Sequence, residues 1–148
     1  MMPNKPSTRI LLTDDDADDR SVFSDAFAEL KMSGELFMFS DGTQLMDYLR
    51  SCESAPGLLF LDLNMPMKSG FECIEEIRAD ERFSEIQIAV YSTSSSEKDI
   101  DSTFRKGANL YIKKPNDYNK LKTIINTVLK TDWSQRLGFS KENFLLNI

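Results

Sequence analysis

Leu58-Leu59-Phe60-Leu61-Asp62-Leu63-Asn64-Met65-Pro66 is a short apolar run broken by one carboxylate and closed by Met-Pro. A run of this length reads as a strand buried on both faces, the pattern of a parallel sheet. An aspartate inside such a run is expensive to bury without a partner. It belongs at the carboxyl tip of the strand, the edge where open parallel sheets bind ligands. The fold question becomes whether other strands end in polar residues that meet Asp62.

Outward from that run, the chain alternates strand and helix. Arg9-Ile10-Leu11-Leu12-Thr13 reads as a first strand ending in Asp14-Asp15-Asp16, with Asp18 and Asp19 beyond. Val22, Phe23, Ala26, Phe27 and Leu30 share one face of the next helix, which Ser33-Gly34 stops. Leu36 to Ser40 is a second strand, and a helix with Leu45, Met46 and Leu49 inward follows the Asp41-Gly42 turn. After the Asp62 strand, Ser69 and Glu72 have capping-box spacing. Phe71, Ile74 and Ile77 give that helix its inner face. Ile86 to Tyr91 is a fourth strand ending at Ser92-Thr93, and Ser94 with Glu97 forms a second capping box. The helix behind it is poorly apolar, with Ile100 and Phe104 its main core candidates, and Gly107 ends it. Asn109 to Lys113 is a fifth strand, closed by Lys114-Pro115. The last long helix carries Leu121, Ile124, Ile125, Val128 and Leu129 inward. Five such β-α units imply a parallel sheet with helices on both faces and right-handed crossovers.

The organisation expected is a polar leader over 1–8, a domain over 9–130 and an extension over 131–148. The 148-residue length suits one domain with a real core. A net charge of −6 disfavours nucleic acid and anionic membranes as partners. No apolar run nears the ~20 residues of a membrane span. The leader lacks an apolar signal core, so the expected compartment is cytoplasmic. Histidine is absent, which excludes imidazole triads, histidine-ligated zinc and a histidine phosphodonor within the chain. Cys52 and Cys73 fall in separate predicted helices, without metal or redox spacing.

In a parallel sheet all strand tips share one edge. Asp14, Asp15, Asp62, Ser92, Thr93 and Lys114 therefore converge. Clustered carboxylates repel, and Lys114 offsets only part of that. Hard divalent cations take such oxygen ligands, and a carboxylate can act as nucleophile toward phosphorus. The set suits phosphoryl transfer onto Asp62. Taken singly, the features have plainer readings: the Asp14–Asp19 run favours a helix N-terminus, and Lys114-Pro115 is an ordinary turn. Their joint placement at strands one, three, four and five favours the site.

Leu12-Thr13-Asp14-Asp15-Asp16, Leu61-Asp62-Leu63-Asn64-Met65-Pro66 with Gly70, Val90-Tyr91-Ser92-Thr93, and Gly107 through Pro115 stand in an order that resembles the receiver domain of two-component response regulators. The likeness covers about Arg9 to Lys130 and points to a stand-alone member of the chemotaxis-regulator type. It implies a flavodoxin-like, doubly wound α/β fold with five parallel strands in order 2-1-3-4-5. It assigns Asp62 as phosphoacceptor. It gives Mg²⁺ (or Mn²⁺) to Asp15 and Asp62, to the Asn64 backbone carbonyl, and to Asp14 through water. Ser92 bonds the phosphoryl group, Lys114 pairs with it, and Tyr111 with Ser92 forms the switch. A sensor histidine kinase or phosphotransfer protein donates, and a downstream target reads the altered surface, with the chain a monomer or homodimer.

Ser69 stands where the family often has Asp, Ser92 replaces the commoner Thr, and Thr93 replaces a small residue. The extension, with Trp133, Phe139, Phe144, Leu145 and Leu146, is too short for a DNA-binding output domain. It either packs on the domain or makes an interface. The extension and the Ser92-Thr93-Ser94 turn are similar to those of receivers that pair with bacterial phytochrome kinases. Two other readings compete: a constitutive adaptor of receiver form, and a phosphatase resembling the haloacid dehalogenases. The latter carry Asp-x-Asp after the first strand, whereas Asn64 stands two residues past Asp62 here.

Overall fold

The structure, a computed structural model, describes residues 9–131 and 141–146. The order is β1 (Arg9–Thr13), α1 (Ala17–Leu30), β2 (Glu35–Phe39), α2 (Gly42–Ser51), β3 (Leu58–Leu61), α3 (Gly70–Ala79), β4 (Gln87–Ser92), α4 (Glu97–Lys106), β5 (Leu110–Lys113), α5 (Tyr118–Lys130) and α6 (Lys141–Phe144), with a 3-10 turn at Glu81–Phe83. The five strands form one parallel sheet in the order β2-β1-β3-β4-β5, as the resemblance implied.

Alternation along the strands makes two cores. Leu11, Leu59, Leu61, Ile88, Val90 and Tyr111 face α2, α3 and α4. Ile10, Leu12, Phe60, Ala89, Tyr91 and Ile112 face α1 and α5. On that second face Phe23, Phe60 and Tyr91 meet edge-on, with centroids 5.0 and 5.6 Å from Phe23, an arrangement that suits the ring quadrupoles.

The register explains why the strand tips align. Thr13 pairs with Phe39 and with Leu61, Leu61 with Val90, and Ser92 with Lys113. The ladder then runs one residue further. Asp14 N–H donates to the Phe39 carbonyl at 3.0 Å, Asp62 N–H to Thr13 at 2.9 Å, and Lys114 N–H to Ser92 at 2.7 Å. These bonds fix the backbones of the polar residues before their side chains are considered.

Local capping signals hold at some helix ends and not at others. The Ser69–Glu72 capping box is present in full. The cap of α4 is Ser96, not Ser94, with its side chain accepting from Asp99 N–H. Ser94 instead donates to Asp99 through its hydroxyl at 2.7 Å. Three consecutive serines offer equivalent caps, and tertiary packing selects among them. α1 ends on Lys31 at φ 50°, before Ser33-Gly34. Cys52 caps the end of α2 rather than lying inside it. Asn109 precedes β5, and its amide oxygen accepts from Ile88 N–H and from Arg78. Val22, expected on the inner face of α1, is exposed. In α4 Thr103 is the fully buried residue, while Ile100 and Phe104 are partly buried.

The extension returns to the sheet. Leu145 bridges Tyr111 in parallel, and Leu146 N–H donates to the Tyr111 carbonyl at 2.9 Å. Phe144 is buried against Phe104 and Tyr111, at centroid distances of 5.3 and 6.0 Å. Trp133 and Phe139, and the leader over 1–8, lie outside the described residues.

Candidate functional site

Each polar side chain sits where a strand hands over to a loop. Asp14 is wholly buried just past β1, Asp15 is exposed beside it, and Asp62 is buried just past β3. One carboxylate oxygen from each lies within 4.8 Å of the other two. Lys114, just past β5, reaches across them. Its ammonium is 2.7 Å from Asp14 Oδ2, 2.9 Å from Asp19 Oδ2 and 3.6 Å from Asp62 Oδ2. The ammonium also lies 5.4 Å from the centre of the Tyr91 ring. Thus Asp14, Asp15, Asp62 and Lys114 are together, as the alternation predicts.

The Asp62 turn is braced from below. Gly70 N–H, at the start of α3, donates to the Leu63 carbonyl at 2.8 Å, and Asp62 Oδ1 accepts from Leu63 N–H at 2.8 Å. A Cβ on Gly70 would fall 2.2 Å from the Asp62 carbonyl oxygen and 2.8 Å from the Leu63 Cα, so only glycine permits this approach. Asn64 lies in the exposed turn beyond. Met67, in the same turn, holds φ 69°, a left-handed conformation unusual for its type.

Ser92 is buried at the end of β4, and its hydroxyl oxygen accepts from Ser94 N–H at 3.1 Å. Tyr111 is fully buried, and its hydroxyl donates to the Ser94 carbonyl at 2.8 Å. The hydroxyl side and the aromatic residue are therefore joined through one loop.

Burial pushes the Asp62 carboxyl up to about 7; the neighbouring Asp14 and Asp15 add to this, and Lys114 opposes it. Burial likewise raises Asp14, against the pull of Lys114 and of the Asp16 N–H. For Lys114, burial alone would lower the ammonium; its bonds to Asp14 and Asp19 and the charge of Asp62 together push it above its usual value. The centre holds more negative charge than one ammonium offsets, and its donors are all hard oxygens. A divalent cation fits such a donor set.

The response regulator receiver domain model matches residues 10–126. This chain belongs to the response regulator receiver family. The receiver is 31% identical over 136 residues to the probable methanogenesis regulatory protein FilR2 of Methanothrix harundinacea (strain 6Ac), covering 89% of this chain and 85% of that one. It is 29% identical to the response regulator Rcp1 of Synechocystis sp. (strain ATCC 27184 / PCC 6803 / Kazusa), covering 80% and 83% of the two chains. Among solved structures, the phosphorylated cyanobacterial phytochrome response regulator RcpA superposes with a TM-score of 0.76 at 32% identity, over 83% of this chain and 91% of that one. The Mn²⁺-bound form of Rcp1 gives 0.75 at 25%, over 91% and 99%. The receiver is a signalling fold of two-component systems. Among its described residues no helix is long and apolar enough to cross a membrane.

One side chain at this centre carries no sequence signal for its role at the site. Asp19 accepts a hydrogen bond from the Lys114 ammonium at 2.9 Å, across 95 residues of chain. The available signal was helical: with Asp16 as cap, Asp19 is the third helical residue, and its N–H bonds back to Asp16 Oδ1 at 3.0 Å.

Proposed function

We propose that this receiver is a phosphorylatable switch, with Asp62 as the acceptor. The observation that carries the reading is the Lys114 ammonium held beside both Asp14 and Asp62, with Asp15 completing the carboxylate cluster. An Asp62 oxygen attacks the donor's phosphorus, forming a P–O bond as the donor's P–N bond breaks. The electron pair leaves on the donor nitrogen, which takes up a proton. Lys114 pairs with the phosphoryl oxygens, and the Ser92 hydroxyl donates to them. Asp15, Asp62 and the Asn64 backbone carbonyl, with Asp14 through water, are the groups that would hold Mg²⁺ or Mn²⁺. When bound, that ion supplies positive charge against the phosphoryl oxygens. Water later attacks the phosphorus, the P–O bond to Asp62 breaks, and inorganic phosphate departs.

The readout runs through the Ser92–Ser94 loop. A move of Ser92 toward the phosphoryl group pulls on the Ser94 carbonyl that Tyr111 bonds. Such a change shifts a two-state equilibrium of the α4–β5 surface. The donor on this reading is a sensor histidine kinase or phosphotransfer protein in the cytoplasm, and the reader is a target protein.

Incubation with phosphoramidate and Mg²⁺ should add one base-labile phosphoryl group per chain, detected by intact mass. Asp62→Ala should add none. Equal labelling of that variant would remove Asp62 as acceptor, and a wild type that takes no label with millimolar metal would favour the constitutive adaptor.

A further inference from the structure

We propose that Asp19 is a positioning residue for this site: it holds the Lys114 ammonium toward α1 in the unphosphorylated protein and yields it when a phosphoryl group occupies Asp62. The inference rests on the phosphoacceptor reading for its second half only. The hold itself is a property of the unmodified chain.

An ammonium has three donors. In the structure the Lys114 ammonium lies 2.7 Å from Asp14 and 2.9 Å from Asp19, while Asp62 at 3.6 Å is beyond hydrogen-bond reach. The cation that the acceptor needs is thus ion-paired with Asp62 but hydrogen-bonded elsewhere. The two holding carboxylates differ in how readily they let go. The Asp14 side chain is 0% exposed, and stripping it of its cation would leave a buried unpaired charge. The Asp19 side chain is 41% exposed, so water takes over when the lysine leaves. Asp19 is therefore the releasable partner.

Its place is set by the helix start. The Asp16 cap accepts from Asp19 N–H, and the Arg20 guanidinium donates to the Asp14 carbonyl at 2.7 Å, fastening the first turn of α1 to the tip of β1. A plainer role for Asp19 is to favour the positive end of α1. Asp18 shares that first turn and that charge but is not among the ion-pair partners of Lys114. Asp18→Asn is therefore the matched control.

Two measurements on the full chain test the proposal. The first is the rate at which an amine-acylating reagent modifies Lys114 in the unphosphorylated protein, read by peptide mass. Asp19→Asn should raise it, while Asp19→Glu and Asp18→Asn should leave it near wild type. The second is the phosphoramidate concentration for half-maximal labelling, which Asp19→Asn should lower about two- to fivefold, the range set by one partly exposed ion pair. Asp19→Glu should restore it. Equal effects of Asp18→Asn and Asp19→Asn in both assays would make the cause net charge and overturn the proposal. No change in Lys114 reactivity with Asp19→Asn would overturn it as well. Raised reactivity in a protein that takes no phosphoryl group would uphold the hold on Lys114 and sink the phosphoacceptor reading instead.

Discussion

Asp62 is a buried carboxyl whose environment opposes its charge. Its folded value, raised to about 7 chiefly by burial, lies above that of the unfolded chain. The folded protein therefore binds a proton more tightly than the unfolded one between about pH 4 and 7. Stability from this group is greatest below that window, falls as pH rises through it, and is lost above about 7. Asp62→Asn should remove the slope. In metal-free buffer the variant should match wild type near pH 4 and exceed it at pH 8 by about 2–4 kcal/mol, by urea denaturation. A gain independent of pH would show that charge is not the cause. Lys114 keeps Asp14 and Asp19 in that variant, so no new unpaired cation arises.

At the scale of elements, α3 is a buttress for the acceptor turn. A side chain on its first residue, Gly70, would press on backbone atoms of Asp62 and Leu63. Gly70→Ala should cost about 1–3 kcal/mol by overpacking and also slow phosphoramidate labelling, because the strain lands on the acceptor itself. Ser69→Ala, which removes the neighbouring cap, should cost about 1 kcal/mol and leave the labelling rate unchanged. Thermal melts and labelling kinetics on both variants separate the two effects. Equal labelling rates in both would mean that α3 does not position Asp62. The fourth helix behaves differently. Only Thr103 of α4 is fully buried, and its start is held by hydroxyl contacts among Ser94, Ser96 and Asp99. An element so lightly fastened is suited to shift when the loop before it moves.

Across the whole molecule, the extension pairs with the edge strand β5 at Tyr111. Tyr111 bonds the Ser94 carbonyl through its hydroxyl and accepts from Leu146 N–H through its carbonyl, so one residue touches both the site loop and the returning segment. Phe144 fills the space between Tyr111 and Phe104. A short segment held by few contacts can detach as a unit, which caps the loss from any one of them. Phe144→Ala should therefore cost only about 1–2 kcal/mol, below the usual penalty for a buried phenylalanine. Amide exchange should quicken at Leu146 and in α4 while that of β1 and β3 stays slow. A global loss of protection would place Phe144 in the central core instead.

The alternation of short apolar runs with helical periodicities was enough, read alone, to define a parallel α/β sheet. That sheet puts Asp14, Asp62, Ser92 and Lys114 on one edge, because strand polarity is a property of the backbone and not of packing. The strand order came only from the resemblance to receiver domains, not from the residues themselves. The sequence could not say which carboxylates Lys114 would bind, since Asp19 and Lys114 are neighbours only once α1 has packed against α5. Nor could it choose Ser96 over Ser94 as the cap, leave Val22 exposed, or bring Phe144 back to Tyr111. Those outcomes depend on competition among near-equivalent local partners, and the winner is set by burial and distance in the assembled fold.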